Sequence, residues 1–244
     1  MFRSIFADNA ALALDDYADL ASVPRHRTFQ QNDMIDLFRK AVPFDFIAVA
    51  GMDCDGYGFG HGHSIDTDLP PAFLELYYGE NWPRQDPFVS ASRGASGIVV
   101  EEDVYKTSPP EQRLSYILRS FGVLNRTLVP LLRNKTVFGA VTFCRADKFS
   151  DLELAYLAMI APSLHDAFVW PIMEKFAADH LKLTAGEIAC LQGASDGATT
   201  DGISSLTGFQ PATVDTYLKS ATKKLKAKNR AHAVAEALRR RLVS

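Results

Sequence analysis

Two stripes of side chains run along one segment near the end of the chain, Thr213 to Arg230. In each stripe the side chains recur at spacings of four, three and four residues. The two stripes lie about 100° apart around a helix axis. The apolar stripe is Val214, Leu218, Ala221 and Leu225, and the cationic stripe is Lys219, Lys223, Lys226 and Arg230. The segment therefore predicts a helix that packs one side on its neighbours and presents positive charge on another.

The charge of the whole chain is divided in the same way. Residues 182–244 carry 10 Lys and Arg against 5 Asp and Glu, whereas residues 1–181 carry 16 against 24. The tail is formally +5 and the body −8, although the net charge is −3. This asymmetry indicates that the tail meets a polyanion, for which double-stranded DNA is the candidate, and that the body does not.

Four short helices are predicted in the tail. Their caps and turn residues are Thr184 with Glu187, then Thr199, Gly208, Pro211 and Asn229. In the last helix, we expect Ala231, Val234, Leu238 and Leu242 to face inward. A helix, a glycine-containing turn and a helix with a cationic flank indicate a helix-turn-helix. A solvated basic face without a specific partner is the alternative explanation of the same pattern.

The body predicts an α+β fold, an N-terminal α/β/α sandwich around an antiparallel sheet, followed by the small four-helix helix-turn-helix domain. Strands are expected at 44–53, from Gly56 onward, at 127–132 and at 137–144, and helices at 8–23, 30–40, after Pro70, after Pro87, at 109–120 and from Ser150 to about Val169. A break at Trp170 and Pro171 predicts a sensor and dimerisation domain at 1–170, a linker at 171–181 and a DNA-binding domain at 182–244.

Several classes of protein are disfavoured. No secretory signal or transmembrane run is present, and Cys54, Cys144 and Cys190 are odd in number and far apart, so a cytoplasmic protein with no membrane contact is expected. We predict no enzyme and no cofactor, because no nucleophile elbow or phosphate loop occurs. His61 and His63 lie two residues apart without the further ligands that a structural metal site needs, so no metal is predicted.

The tail resembles the LuxR-type DNA-binding domain over its whole length. The matching positions are Leu183, Thr184, Glu187, Gly197, Thr199, Ile203, Thr213, Val214, Lys224, Leu225, Asn229, Arg230, Ala233 and Val234. The resemblance implies that Pro211–Lys226 is the recognition helix and that the last helix takes part in dimerisation. The candidate DNA contacts are Thr213, Asp215, Thr216, Lys219, Thr222 and Lys223.

This tail departs from the family pattern at five positions. The family usually has Arg, Lys, Glu, Ser and a cation where Gly186, Ala198, Gly202, Gln210 and Asp215 stand here. An acid at 215 repels phosphate but can accept a hydrogen bond from a cytosine amino group. A second function therefore stays open, an inhibitor that does not bind DNA and instead pairs with related regulators.

The body resembles the acyl-homoserine-lactone-binding domain. The residues that carry the resemblance are Phe73, Tyr77, Trp82, Asp86 and Pro87, with the later strands and closing helix. It implies that Asp86 accepts the ligand amide N–H, that Tyr77 donates to the acyl carbonyl, and that the regulator is a homodimer controlled by a small acylated signal. The same residues would also suit ordinary packing for the aromatics and a helix cap for Asp86.

The ligand pattern is altered at three places. Phe73 lacks the N–H of the family tryptophan, Glu101 stands near a second missing tryptophan, and Arg126 replaces a glycine beside the pocket. Arg126 and Glu101 either fill the cavity, giving a protein that folds and dimerises without ligand, or adapt it to a more polar signal. The candidate ligand contacts are Phe73, Tyr77, Trp82, Asp86, Arg126 and Thr142.

Overall fold

The computed structural model describes residue 14 and residues 17–24, 26–28, 32–52 and 65–244. This part of the chain forms two compact units, each with its own hydrophobic core. Leu14 and Val23–Val169 belong to the first unit, and residues 17–22 with Trp170–Ser244 belong to the second. The predicted fold class, an α+β body with a helical tail, is confirmed.

A six-stranded sheet forms the middle of the first unit. Its strands are β1 (His26–Thr28), β2 (Phe46–Ala50), β3 (Ile65–Thr67), β4 (Val99–Val100), β5 (Thr127–Arg133) and β6 (Thr136–Cys144). They are ordered β1-β3-β2-β6-β5-β4. β1 is parallel to β3, and every other neighbouring pair is antiparallel. The sheet is therefore antiparallel, as predicted, except for one parallel pair at its edge.

Helices cover both faces of this sheet. They are α1 (Asp33–Ala41), α2 (Pro71–Gly79), α3 (Pro87–Arg93), α4 (Glu101–Thr107), α5 (Gln112–Ser120) and α6 (Asp151–His180). Ala140 and Cys144 of β6 point into the clusters formed with α2, α3 and α5. Gly139 lies on the other face, against His165 of α6. This alternation along one strand produces the predicted α/β/α arrangement.

The β5–β6 hairpin was predicted to within a residue at each end. Its turn residues, Asn134 and Lys135, both have positive φ angles, 50° and 67°. Two successive residues of this kind make a type I′ turn, whose twist matches that of the strands it joins. The hairpin fixes the register of the two longest strands, which position the candidate ligand site.

α6 begins as predicted and ends later than predicted. The backbone N–H of Ser150 donates to the Glu153 carboxylate (2.7 Å), and the backbone N–H of Glu153 donates to the Ser150 hydroxyl oxygen (3.4 Å), so both halves of the expected capping box are present. The expected end near Val169 is wrong, because α6 continues to His180 with Pro171 inside it. Proline removes one helical hydrogen bond, but burial of Phe168, Ile172 and Phe176 on either side holds the helix together. The predicted linker range is therefore mostly helical.

Other expectations for the first unit fall at the limits of the described residues. The predicted helix at 8–23 lies largely outside them, and its longest described stretch, 17–23, contains bends and a turn and no helix. The strand expected from Gly56 also lies outside them until Ile65, where β3 begins. The predicted helices after Pro70 and after Pro87 are confirmed, whereas α4 was not predicted.

The second unit contains the four predicted helices. They are α7 (Ala185–Ser195), α8 (Thr200–Thr207), α9 (Pro211–Lys224) and α10 (Arg230–Arg239). Thr184 and Glu187 form the complete capping box, and Gly208 ends α8 in the left-handed conformation at φ 76°. Asn229 caps α10 by accepting from the backbone N–H of His232 (2.9 Å). The capping and turn residues in this part of the sequence were therefore sufficient to place the four helices along the chain.

The inward face of α10 differs from the prediction. Ala233 and Ala237 are buried together with Glu236, whereas Leu238 is 43% exposed. Glu236 can be buried because it forms ion pairs with Arg239 and Arg240. The apolar spacing in the sequence therefore indicated the wrong side of this helix.

Substitution of Gly139 tests the close approach of α6 to the sheet. A Cβ at this position would lie 2.5 Å from His165 Nε2 and 3.1 Å from the carbonyl oxygen of Ala50. We expect Gly139→Ala to lower the free energy of unfolding by about 1–3 kcal/mol, because His165 is buried and has little room to move. Thermal unfolding measures this loss. Gly97→Ala is the matched control, since its Cβ would meet nothing within 4 Å.

Candidate functional sites

A buried aromatic wall lies on the sheet face covered by α2. Phe73 and Tyr77 are one helical turn apart, so their rings stack with centroids 5.2 Å apart. Trp82 belongs to the same cluster, and all three side chains are buried. Three candidate ligand residues are therefore brought together. The indole N–H of Trp82 donates to Glu80 Oε2 (3.0 Å), and Glu80 is in turn paired with Arg113.

Asp86 lies beside this wall and is completely buried. It caps α3, where its Oδ1 accepts from the backbone N–H of Phe88 (2.9 Å) and from the hydroxyl of Tyr105 (3.3 Å). Its Oδ2 accepts from the Tyr77 hydroxyl (2.6 Å) and from Arg126 Nη1 (2.7 Å). Asp86 is thus both the helix cap and the centre of a polar cluster.

Arg126 reaches Asp86 because of the pairing between two strands. In the β4–β5 ladder, Val99 is opposite Leu128 and Val100 is opposite Thr127. One step further the same register places Glu101 across from Arg126, where the backbone N–H of Glu101 donates to the Arg126 carbonyl (2.9 Å). The Glu101 carboxylate accepts from Arg126 Nε (2.7 Å) and from its backbone N–H (3.1 Å). We call Tyr77, Asp86, Glu101, Tyr105 and Arg126 the buried ion cluster.

The electrostatics of this cluster favour the charged forms of Asp86 and Arg126. Burial raises the pKa of Asp86, but the charge and hydrogen bond of Arg126, together with Tyr77 and the Phe88 N–H, outweigh burial and lower it below the ordinary value. Burial opposes ionisation of Arg126 as well, yet Asp86 and Glu101 raise its pKa well above the ordinary value. The Arg126 guanidinium also packs over the Phe88 ring, 4.5 Å from its centroid.

Two members of the site show what the sequence did and did not reveal. Thr142 is half-buried on β6, opposite Ala48 and Leu128, and therefore on the same sheet face as Ala140 and Cys144. Tyr105 was not predicted. It follows Glu101 by four residues, one turn along α4, and this spacing is the signal that would have placed both on one side of a helix.

An open cleft of about 650 Å³ adjoins the outer side of the buried ion cluster. Glu101 and Tyr105 contribute to it, with Leu118 and Arg119 of α5 and Asn125 before β5. This cleft lies at the surface beside the buried ion cluster, and neither Arg126 nor Asp86 lines it.

The second unit presents its candidate DNA surface on α9. Val214, Leu218 and Ala221 are buried, as predicted, whereas Lys219 and Lys223 are exposed. Among the residues that the structure describes, neither lysine forms an ion pair. The predicted cationic stripe does not extend beyond Lys223, because α9 ends at Lys224. The guanidinium of Arg230, the last predicted member, donates to the carbonyl of Ala198 (2.7 Å).

The remaining DNA candidates have different surroundings. Asp215 and Thr216 are exposed, and Thr213 and Thr222 are half-buried. Asp215 Oδ1 accepts from the hydroxyl of Thr200 (3.2 Å), which joins α9 to α8. The hydroxyls of Thr216 and Thr222 donate to carbonyls one turn back, at 2.8 Å and 2.6 Å. All six candidates belong to α9, and Lys219 and Thr222 line a shallow cleft with Asp215.

Other contacts hold α9 in place. Lys224 Nζ donates to Glu187 Oε2 (2.7 Å) and to the carbonyl of Lys182 (2.7 Å). Burial raises the pKa of Glu187, but hydrogen bonds from Lys224, Ser220 and Thr184 outweigh it and lower the pKa to about 2. The packing of Tyr217 explains why glycine stands at position 186, where the family usually has arginine. A Cβ at this position would lie 2.8 Å from the Tyr217 ring.

The acid dependence of stability tests the ionised state of Asp86. Because its folded pKa is lowered, its stabilisation is complete above the unfolded pKa, about 4, and is lost as pH falls through the folded value. We expect Asp86→Asn to lower the free energy of unfolding by about 3–5 kcal/mol near pH 7, with a gap to the wild type that narrows below about pH 4.

Urea denaturation followed by Trp82 fluorescence, in a Trp170→Phe background, measures this gap. Asp103→Asn is the control, because its side chain is 68% exposed, and it should change stability little at any pH. A gap that stays constant with pH would contradict the assignment.

Two family models match the chain. The model of bacterial regulatory proteins of the luxR family matches residues 181–237, and the autoinducer-binding-domain model matches residues 28–168. The second match covers more than half of the chain. No curated protein matches it at a significant level.

Several solved structures are similar at low identity. Escherichia coli SdiA is 17% identical, with 86% of this chain and 89% of SdiA covered and a TM-score of 0.47. SdiA in complex with octanoyl-rac-glycerol is 16% identical, with 84% and 85% covered and a TM-score of 0.47. The Vibrio cholerae VqmA dimer in the absence of target DNA is 14% identical, with 88% and 91% covered and a TM-score of 0.26.

Proposed function

The chain belongs to the LuxR family of bacterial regulators that carry an autoinducer-binding domain, and from this we propose that it regulates transcription by binding double-stranded DNA through α9. The observation that carries the proposal is the arrangement of that helix. Lys219 and Lys223 are exposed one turn apart, while the opposite side is buried in the core of the unit. Cations in such a row neutralise phosphates and give a salt-dependent affinity.

Sequence preference is proposed to come from the first half of α9. Thr213, Asp215 and Thr216 lie near its N-terminus, the part of a recognition helix that contacts base edges. Thr200 engages only Oδ1 of Asp215 among the described residues, which leaves Oδ2 to accept from a cytosine amino group. The candidates further along α9, Lys219, Thr222 and Lys223, would contact the phosphate backbone of the DNA.

Neutralising the two lysines tests DNA binding. We expect Lys219→Ala/Lys223→Ala to weaken binding to promoter fragments and to reduce the slope of log affinity against log salt by about 2, since each lysine releases about one counterion. Fluorescence anisotropy over a range of salt concentrations measures both quantities. The matched control is Lys106→Ala/Lys148→Ala, which removes two exposed cations from the first unit.

The same experiment separates the second function. If the wild type forms intact dimers but binds no fragment of its own promoters, the inhibitor that pairs with related regulators is favoured. Asp215, which replaces a cation in the family pattern, is the residue that supports this alternative.

We also propose a cytoplasmic homodimer joined through α6. By length and composition α6 is the one described helix apolar enough to cross a membrane, but Leu157, Ala161 and Leu164 are fully buried in the first unit. On the opposite side Leu152 is 83% exposed and Met159 is 67% exposed. A second copy of this helix would cover both residues in a symmetric interface.

The dimer proposal predicts a change of oligomeric state. Met159→Glu places a charge on the exposed apolar surface formed by Leu152 and Met159, so we expect sedimentation velocity to show monomers where the wild type gives dimers. Leu37→Glu is the control, because Leu37 of α1 is 64% exposed and lies outside that surface. Dimers that persist in Met159→Glu would rule out this surface.

The first unit is proposed to be the part that sets the regulatory state. Its function is proposed to be controlled by, or derived from, the sensing of a small acylated signal such as an acyl-homoserine lactone, with the aromatic wall and Asp86 as the corresponding site. Support comes from the burial of Phe73, Tyr77 and Trp82 next to the Asp86 carboxylate.

A further inference from the structure

We propose that Arg126 is a built-in substitute for the signal, and that its guanidinium occupies the hydrogen-bonding position at Asp86 that an amide-bearing ligand would need. The first unit would then fold without added lactone. This inference rests on the sensory role proposed for that unit, and it identifies Arg126 as the residue that determines its ligand specificity.

The first argument is the saturation of Asp86. A carboxylate has about four lone-pair positions. Tyr77 and Arg126 donate to one oxygen of Asp86, and Phe88 and Tyr105 donate to the other. All four donors belong to the chain itself, so an amide N–H can bind only by displacing one of them.

The second argument is the confinement of Arg126, whose side chain is 6% exposed. Three sides of the guanidinium are engaged: Nη1 by Asp86, Nε by Glu101 and Nη2 by the Tyr105 hydroxyl. Its face rests on Phe88. Arg126 therefore has a defined place and cannot move aside without leaving a buried charge unpaired.

The third argument compares the two competitors for Asp86. Arg126 makes a charge-assisted hydrogen bond, which is roughly twice as strong as the neutral one that an amide would make. Displacing it would separate a buried ion pair, a strongly unfavourable change. Asp86 would therefore keep its hydrogen bond from Arg126, and a neutral lactone would not compete for that carboxylate.

Glu101 is the positioning residue for this arrangement. Without its carboxylate, the cluster would hold Arg126 by Asp86 alone among the buried acids. The β4–β5 register places Glu101 across from Arg126. Glu101 therefore fixes the angle at which Arg126 reaches Asp86.

The wild-type chain provides the first test. Full-length protein is expressed in cells that make no lactone, and its melting temperature is recorded with acyl-homoserine lactones of short, medium and long acyl chain. We expect soluble, folded protein and no shift with any of them. A saturable rise of several degrees, or folding only when lactone is present, would overturn the proposal.

The second test removes the guanidinium. We expect Arg126→Ala to lower the melting temperature of the first unit by about 10 °C and to gain a response to methylguanidinium, which can refill the space between Asp86 and Glu101. Arg113→Ala is the matched control, since Arg113 forms an exposed ion pair with Glu80. It should show neither the loss nor the rescue.

Two further variants guard against a simple failure to fold. In Arg126→Ala/Asp86→Asn the rescue should disappear, because one of the two carboxylates is gone. Arg126→Lys keeps the charge but has one nitrogen in place of the three that contact Glu101, Asp86 and Tyr105, so we expect a smaller loss than in Arg126→Ala. A Lys variant as stable as the wild type, or rescue that persists without Asp86, would contradict the proposal.

These melting experiments are carried out without DNA, so they are independent of the proposed DNA binding. A chain that ignores lactone but binds no promoter would refute the proposed function and leave the role of Arg126 intact. A chain that binds its promoter only with lactone would refute the role of Arg126 and leave DNA binding intact.

Discussion

The guanidinium of Arg126, held between two buried carboxylates, ties together the parts of the first unit that surround the candidate ligand site. Asp86 caps α3, Glu101 begins α4, and Arg126 immediately precedes β5. Each charge would be unfavourable in this environment on its own. Paired in this way, they fix α3 and α4 against the sheet face on which the aromatic wall of α2 also packs. The strand register and the cluster support each other, because the β4–β5 pairing is what brings Glu101 to Arg126.

This arrangement bears on regulation through thermodynamic linkage. A signal can shift a regulator between states only by the difference in its affinity for those states. If the chain itself supplies the donor at Asp86, the ordered form of the first unit no longer depends on an outside amide. The proposed output would then be set by the amount of protein, by DNA and by partners more than by lactone. The DNA surface fits this view, because Lys219 and Lys223 are presented by the fold of the second unit alone.

Local signals in the sequence predicted most of the fold. The capping box at Thr184 and Glu187 and the turn at Gly208 depend on residues within a few positions of each other, and the structure contains both. Two expectations failed because distant contacts decided them. Burial around Pro171 carries α6 beyond a residue that usually ends helices, and ion pairs bury Glu236 on α10 in place of Leu238. Among the site residues, the helix cap formed by Asp86 was expected as the alternative to a ligand contact, whereas its hydrogen bond from Tyr77 was not expected. The contact of Arg126 with both acids required the sheet register. Tyr105 was missed because α4 was not predicted, so its four-residue spacing from Glu101 was not recognised as helical.

The most direct test of the central claim is the affinity of full-length protein, prepared without lactone, for fragments of its own promoters, measured with and without added acyl-homoserine lactone. We predict one affinity under both conditions, because Arg126 already satisfies Asp86. Binding that appears or strengthens severalfold only after lactone is added would contradict the account.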